Sequence, residues 1–210
     1  MSSSLRLVAC AAALSLGAGA QNHDWPVYLG DKATTHYSTL NQITKENVSR
    51  LREAWTFDTG EKGEFQSNGL VIGGVIYTAT TSRKVLALDA ATGKPRWTFD
   101  PAELRPGNQG RRQRGVTYWE SGNDKRIFTG AGAYLYALNA TDGKIIRSFG
   151  KDGSIHLGEA IETHGGPVPS PVVNTPGTIY KDMYIVGGST NGPGAIRAYD
   201  VRTGRLRWIF

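Results

Sequence analysis

Apolar and polar positions along this chain fall into short runs. Leu70-Val71-Ile72 and Val75-Ile76-Tyr77 stand on either side of Gly73-Gly74, a two-residue hairpin signal. Val116-Thr117-Tyr118-Trp119 and Arg126-Ile127-Phe128 flank a polar turn at Ser121 to Lys125, and Pro171-Val172-Val173 and Met183-Tyr184-Ile185-Val186 flank a longer one. Val85 and Ala87, like Leu135 and Ala137, alternate in the manner of half-buried strands. Helix signals are few: Thr44 to Leu51 predicts a turn or two, with Thr44 as N-cap.

A motif recurs within this pattern. Ala87-Leu88-Asp89-Ala90-Ala91-Thr92-Gly93-Lys94-Pro95-Arg96-Trp97 is followed by Ala137-Leu138-Asn139-Ala140-Thr141-Asp142-Gly143-Lys144-Ile145-Ile146-Arg147. A third copy is Ala198-Tyr199-Asp200-Val201-Arg202-Thr203-Gly204-Arg205-Leu206-Arg207-Trp208. Gly93, Gly143 and Gly204 stand 50 and then 61 residues apart, a spacing that marks propeller blades or arrays. A degenerate earlier copy ends at Trp55-Thr56-Phe57. In each copy the Asp or Asn side chain can accept from amides two residues on, and the glycine supplies a positive φ, so the motif makes a tight turn between strands. The tryptophan after the turn is expected to pack between adjacent repeats while its N–H finds a carbonyl.

Four short strands per repeat predict an all-β protein, a β-propeller, of which about three to four blades are present. Propellers close with typically four to eight blades, so the expectation is an incomplete arc, the N-terminal part of a longer protein.

Composition narrows the class without changing it. The chain has 210 residues, 39% hydrophobic and 20% charged, which excludes general disorder, and its 27 glycines lack any collagen period. The net charge of +6 is scattered apart from Arg111, Arg112 and Arg114, so no nucleic-acid partner is expected.

Residues 1–20 read as a signal peptide: Arg6 is the positive region, Leu7 to Leu16 the apolar run, and Ala18-Gly19-Ala20 the cleavage site. Cleavage near Ala20 would leave residues 21–210 as a partial propeller domain in the periplasm or otherwise exported. The only cysteine, Cys10, also permits a lipoprotein reading, though too few apolar residues precede it. Without Cys10 the mature chain has no disulfide and relies on packing.

The opening Asp24-Trp25-Pro26-Val27-Tyr28-Leu29-Gly30-Asp31, with Tyr37-Ser38, Asn47-Val48 and Ala54-Trp55, resembles the start of pyrroloquinoline quinone (PQQ) dependent dehydrogenases. The resemblance runs through Arg114-Gly115-Val116, Phe149-Gly150 and Gly187-Gly188-Ser189 to Ala198-Tyr199-Asp200, and is nearer the glucose and quinate branch than the methanol branch. It implies an eight-bladed propeller holding PQQ and a divalent ion, usually calcium, that oxidises an alcohol or aldose and passes electrons to a quinone or cytochrome. Peripheral membrane association is compatible with it.

Carried over residue by residue, the resemblance implies Gln66 beside the quinone, Arg114 on its carboxylates, Ser189 lining the pocket, and Asn191 where relatives place an acidic metal ligand. A guanidinium suits a tricarboxylate, since it binds carboxylate bidentately. Asn191 offers calcium one carbonyl oxygen, but its surroundings look equally like a plain turn. Gln113 precedes Arg114 where methanol-type relatives have a cysteine pair, and Trp119 follows where glucose-type relatives have a histidine. The family's catalytic base, an Asp in a later blade, is matched by no residue here. The alternative is a non-catalytic propeller scaffold of the outer-membrane assembly type, which shares the repeats without a cofactor.

Overall fold

The computed structural model describes residues 23–107, 112–158, 172–188 and 195–210. These form three four-stranded antiparallel sheets, each meandering in chain order. The first holds β1 (Leu70–Ile72), β2 (Val75–Ala79), β3 (Val85–Asp89) and β4 (Pro95–Phe99). The second holds β5 (Thr117–Ser121), β6 (Asp124–Ala131), β7 (Tyr134–Asn139) and β8 (Ser154–His156). The third holds β9 (Thr178–Tyr180), β10 (Met183–Gly187), β11 (Ile196–Asp200) and β12 (Leu206–Ile209). This is the blade architecture that the repeats predict.

Stacking of the blades explains why the apolar pattern does not alternate cleanly. One cluster joins Leu70, Tyr77, Val85 and Phe99 of the first sheet to Ile127, Tyr136 and Leu138 of the second. Another joins Phe128, Leu135 and Phe149 to Tyr184, Val186 and Tyr199 of the third. The middle sheet is therefore buried on both faces, and its inner strand β7 reads as a near-continuous apolar run. Each fully buried side chain of this size contributes about 1.5–3 kcal/mol. Hydrogen bonds cross between blades as well, from Tyr77 Oη to Ala140 O (3.1 Å) and from Thr117 Oγ1 to Gly177 O (2.8 Å).

The repeated motif makes the turn its residues imply. Asp89 Oδ1 accepts from the amides of Ala91 and Thr92, Asn139 Oδ1 from Thr141, and Asp200 Oδ1 from Arg202 and Thr203. Gly93, Gly143 and Gly204 all sit near φ +70°. Trp97 donates through Nε1 to Ala140 O at 3.0 Å and covers Gly143. Trp55 does the same one repeat earlier, to Ala90 O at 3.1 Å and over Gly93, although residues 51–60 are not in a strand.

At the third joint the pattern changes, because the second motif has Arg147 where the others have tryptophan. There the backbone of Gly150 lies against Gly204 and donates to Thr203 O (2.8 Å), and Arg126 caps the carbonyls of Val201 and Arg202. The strand that closes the second sheet, β8, comes only after this detour.

Three local expectations are corrected. Val172 and Val173 are not in a strand; β9 begins at Thr178, after Pro176 and Gly177, and the backbone of Val173 and Asn174 is spent on contacts with other blades. The Ser121 to Lys125 turn narrows to Gly122-Asn123, with both flanks in the ladder. Of residues 44–51 only a 3-10 turn at Val48–Arg50 forms, and Thr44 is not its cap; instead Asn47 Oδ1 accepts from the Thr44 amide at 2.7 Å. A short helix α1 (Pro101–Leu104) was not expected, yet its start is local chemistry: Asp100 Oδ1 accepts from Ala102 N and proline stands at the first position.

Candidate functional site

The first strands of the three blades, β1, β5 and β9, are each preceded by a lead-in segment, and these segments meet. Asn68 N donates to Arg114 O (3.0 Å), and Arg114 N donates to Asn174 O (2.9 Å). Asn68 and Gly115 form a parallel bridge. The backbone of Arg114 is thus fixed on both sides at the junction of three blades. A Cβ on Gly115, whose φ is +142°, would stand 2.9 Å from Asn68 O, so only glycine permits this approach.

Antiparallel pairing puts the turns after β2, β6 and β10 at this same end, and the motif turns after β3, β7 and β11 at the other. The site end therefore carries the lead-ins, the Thr80–Lys84 turn and Gly188.

Gln66 lies two residues before Asn68 on the first lead-in and is half-buried. Its Nε2 donates to Glu64 Oε2 at 3.0 Å, and the same oxygen is 3.6 Å from Arg112 Nε. One carboxylate therefore links the Gln66 segment to the Arg114 segment. Arg114 itself is exposed, and its guanidinium makes no hydrogen bond or ion pair within the described residues. Of the four residues singled out from sequence, Gln66 and Arg114 lie on two lead-ins joined by the Asn68–Arg114 backbone bond. Ser189 and Asn191 lie outside the described residues; Gly188, just before them, donates to Ala195 O at 2.9 Å.

Residues with no sequence signal hold this end together. Glu61 accepts from Thr80 Oγ1 (2.9 Å), Thr81 Oγ1 (2.7 Å) and Ser82 N (2.8 Å), pinning the lead-in to the turn after β2. Burial works to raise the Glu61 carboxyl, but the bonds from Ser82, Thr81 and Thr80 outweigh it and hold it below the usual range. Arg83, on the same turn, is fully buried, and burial pulls its guanidinium down to about 10, which leaves it a cation at neutral pH. Gln113 is buried, accepting from Arg83 Nη1 (3.2 Å) and donating to Gly115 O (2.8 Å). Nothing in the spacing of Glu61, Arg83 or Gln113 separates them from ordinary loop residues.

Trp119 is buried in β5 with the guanidinium of Arg202 4.7 Å from its ring, and is a packing residue, as the plainer sequence reading has it. His156 packs edge-on against Tyr134 at 4.9 Å. Among the described residues no group of three His, Cys, Asp or Glu side chains could hold a metal, and no helix is long and apolar enough to cross a membrane. Among the described residues a cleft of about 390 Å³ lies between the end of β4, α1 and the Gly143 turn.

The site end thus presents the Arg112 guanidinium and the Gln66 amide around the Glu64 carboxylate, with the exposed Arg114 on the same segment as Arg112. Guanidinium and amide groups are donors of the kind that an anionic, carbonyl-bearing ligand such as PQQ, a planar tricarboxylate quinone, would need.

Comparison with known proteins bears on this site. Residues 25–210 match the family described as PQQ: glucose/ethanol/alcohol dehydrogenase, beta-propeller domain. The chain is 30% identical to quinoprotein glucose dehydrogenase A of Acinetobacter calcoaceticus, over 91% of this chain and 28% of that protein. It is 32% identical to the dehydrogenase subunit of the quinone alcohol dehydrogenase of Gluconobacter oxydans, over 98% of this chain and 29% of that one. Quinohemoprotein alcohol dehydrogenase from Comamonas testosteroni superposes with a TM-score of 0.74 at 28% identity, over 90% of this chain and 27% of its own. The chain spans less than a third of the length of each of these relatives. With three consecutive blades of the expected kind and a match over nearly all its residues, this chain belongs to the PQQ glucose/ethanol/alcohol dehydrogenase β-propeller family.

Proposed function

We propose that this chain forms part of a PQQ-dependent dehydrogenase that oxidises an alcohol or an aldose and passes the electrons to a quinone or cytochrome. The observation that carries the proposal is Arg114: its backbone is fixed on both sides at the junction of three blades, on a segment bonded to the lead-in that carries Gln66, and its exposed guanidinium has no partner among the described residues. When bound, PQQ supplies a quinone able to accept two electrons from a C–OH carbon. Arg114 would bind a cofactor carboxylate bidentately, and the Gln66 amide would donate to a carboxylate or quinone oxygen. Ser189 would line the pocket after Gly187-Gly188, and Asn191 would give an oxygen to calcium or another divalent ion. Residues 1–20 would direct export, placing residues 21–210 in the periplasm. The relatives, named for oxidation of glucose and alcohols, favour the enzyme over the scaffold alternative.

The test uses the full-length protein with PQQ and calcium, following dye reduction with a panel of alcohols and aldoses. Ligand at a hundred times its Kd stabilises the folded state by about 2.7 kcal/mol, visible as a rise in melting temperature. Arg114→Ala should lose most of that rise while leaving the melting temperature without PQQ unchanged. No dye reduction and no PQQ-dependent rise in the wild-type protein would sink the proposal.

A further inference from the structure

Arg83 stands on the turn after β2 at φ +71°, a left-handed backbone that is costly for a non-glycine residue. Its side chain is among the largest fully buried ones of the described residues. Burying a guanidinium is costly unless hydrogen bonds replace its water, and here they come from both neighbouring blades. Nη1 donates to Gln113 Oε1 (3.2 Å) and Gly130 O (3.0 Å) of the second blade and to Val173 O (2.9 Å) on the lead-in of the third. Nη2 donates to Asn174 Oδ1.

Two of these partners enclose Arg114. Gln113 precedes it and reaches past it to Gly115 O (2.8 Å), so that one side chain spans the Arg114 peptide units. Asn174 takes the Arg114 amide on its backbone oxygen and Arg83 on its side-chain oxygen. Gln113 and Asn174 could each rotate on their own; a planar, forked donor tied to both fixes their relative position.

We propose that Arg83 is a positioning residue for the cofactor pocket: its guanidinium clamps Gln113 and Asn174 on either side of Arg114 and so sets where the Arg114 guanidinium stands. This rests on Arg114 being a ligand of the cofactor carboxylates, as proposed above. A buried arginine that only glued blades together would stabilise the protein without favouring this segment.

The experiment compares full-length wild type, Arg83→Met and Arg83→Lys, without PQQ by amide hydrogen exchange and with PQQ by quenching of tryptophan fluorescence. The Arg114 amide reports the clamp, and the Gly143 amide, at the opposite end, reports general stability. In Arg83→Met, Arg114 should exchange roughly tenfold faster relative to Gly143, and the PQQ Kd should rise by roughly the same factor. Arg83→Lys keeps the charge and part of the reach, and should fall between wild type and Arg83→Met in both measurements.

Equal acceleration of both amides, or an unchanged Kd in folded Arg83→Met and Arg83→Lys, would overturn the proposal. Absence of PQQ binding to wild type would sink the cofactor reading and this role with it, and is recognisable because the exchange contrast between Arg114 and Gly143 would persist.

Discussion

The indole of Trp97 lies so close over Gly143 that a Cβ on that glycine would stand 2.6 Å from ring atoms Cδ2 and Cε3. The same indole donates to Ala140 O at 3.0 Å, so one side chain from the first blade seals the turn of the second. Gly143→Ala should therefore be destabilising twice over, through the clash and through a φ of +71°. We expect a loss of about 2–4 kcal/mol, combining overpacking with the left-handed backbone, read from urea unfolding. Gly73→Ala, also at positive φ but with nothing within 4 Å of its Cβ, should lose only the backbone part, about 1 kcal/mol.

The three turns differ in how they respond to acid. Asp89 is held down to about 2, first by the bond from Arg96 and then by Thr92. Its folded value lies below the ordinary 3.8, so its contribution is complete above that value and is lost as pH falls through about 2. Asn139 fills the same place in the second repeat and does not titrate. Asp89→Asn should keep the turn and flatten the fall in stability between pH 4 and pH 2. An unchanged acid-unfolding slope would contradict this.

Glu61 gathers three side chains and an amide of the turn after β2 onto a segment that otherwise has no strand. Glu61→Ala should free that segment at a cost of about 1–3 kcal/mol. Cleavage by trypsin after the exposed Lys62 should speed up ahead of global unfolding. Cleavage no faster than in wild type would show that other contacts hold the lead-in.

Arg147 occupies the tryptophan position of the second motif, and restoring the consensus should not help. The space over Gly204 is filled by the Gly150 backbone, whose N is 2.9 Å from where a Cβ would be. Arg147→Trp should change stability by less than about 0.5 kcal/mol, as for an exposed position, because Arg147 is largely exposed and its ion pair with Asp152 is long, at 3.9 Å. A gain as large as that of a packed indole would mean the detour can be displaced.

What the sequence determined by itself was everything carried by neighbours in the chain. The Gly73-Gly74 hairpin, the Asp or Asn caps and the positive-φ glycines each depend on a few consecutive residues, and each forms as the residues imply. Repetition made the blades legible, and the resemblance made the family legible.

Tertiary structure alone decided which segments meet at the site end. Asn68, Arg114 and Asn174 are far apart in the chain, and their backbone bonds exist only because stacked blades bring three lead-ins together. For the same reason Val173 gives up the strand its composition favours, since its carbonyl is taken by Arg83, and a lone Trp55 can act as a blade residue outside any strand. Arg83 looks like an ordinary turn cation in sequence; it is buried because two further blades close over it. Long-range closure of this kind leaves no local pattern, and so no reading of neighbouring residues can reveal it.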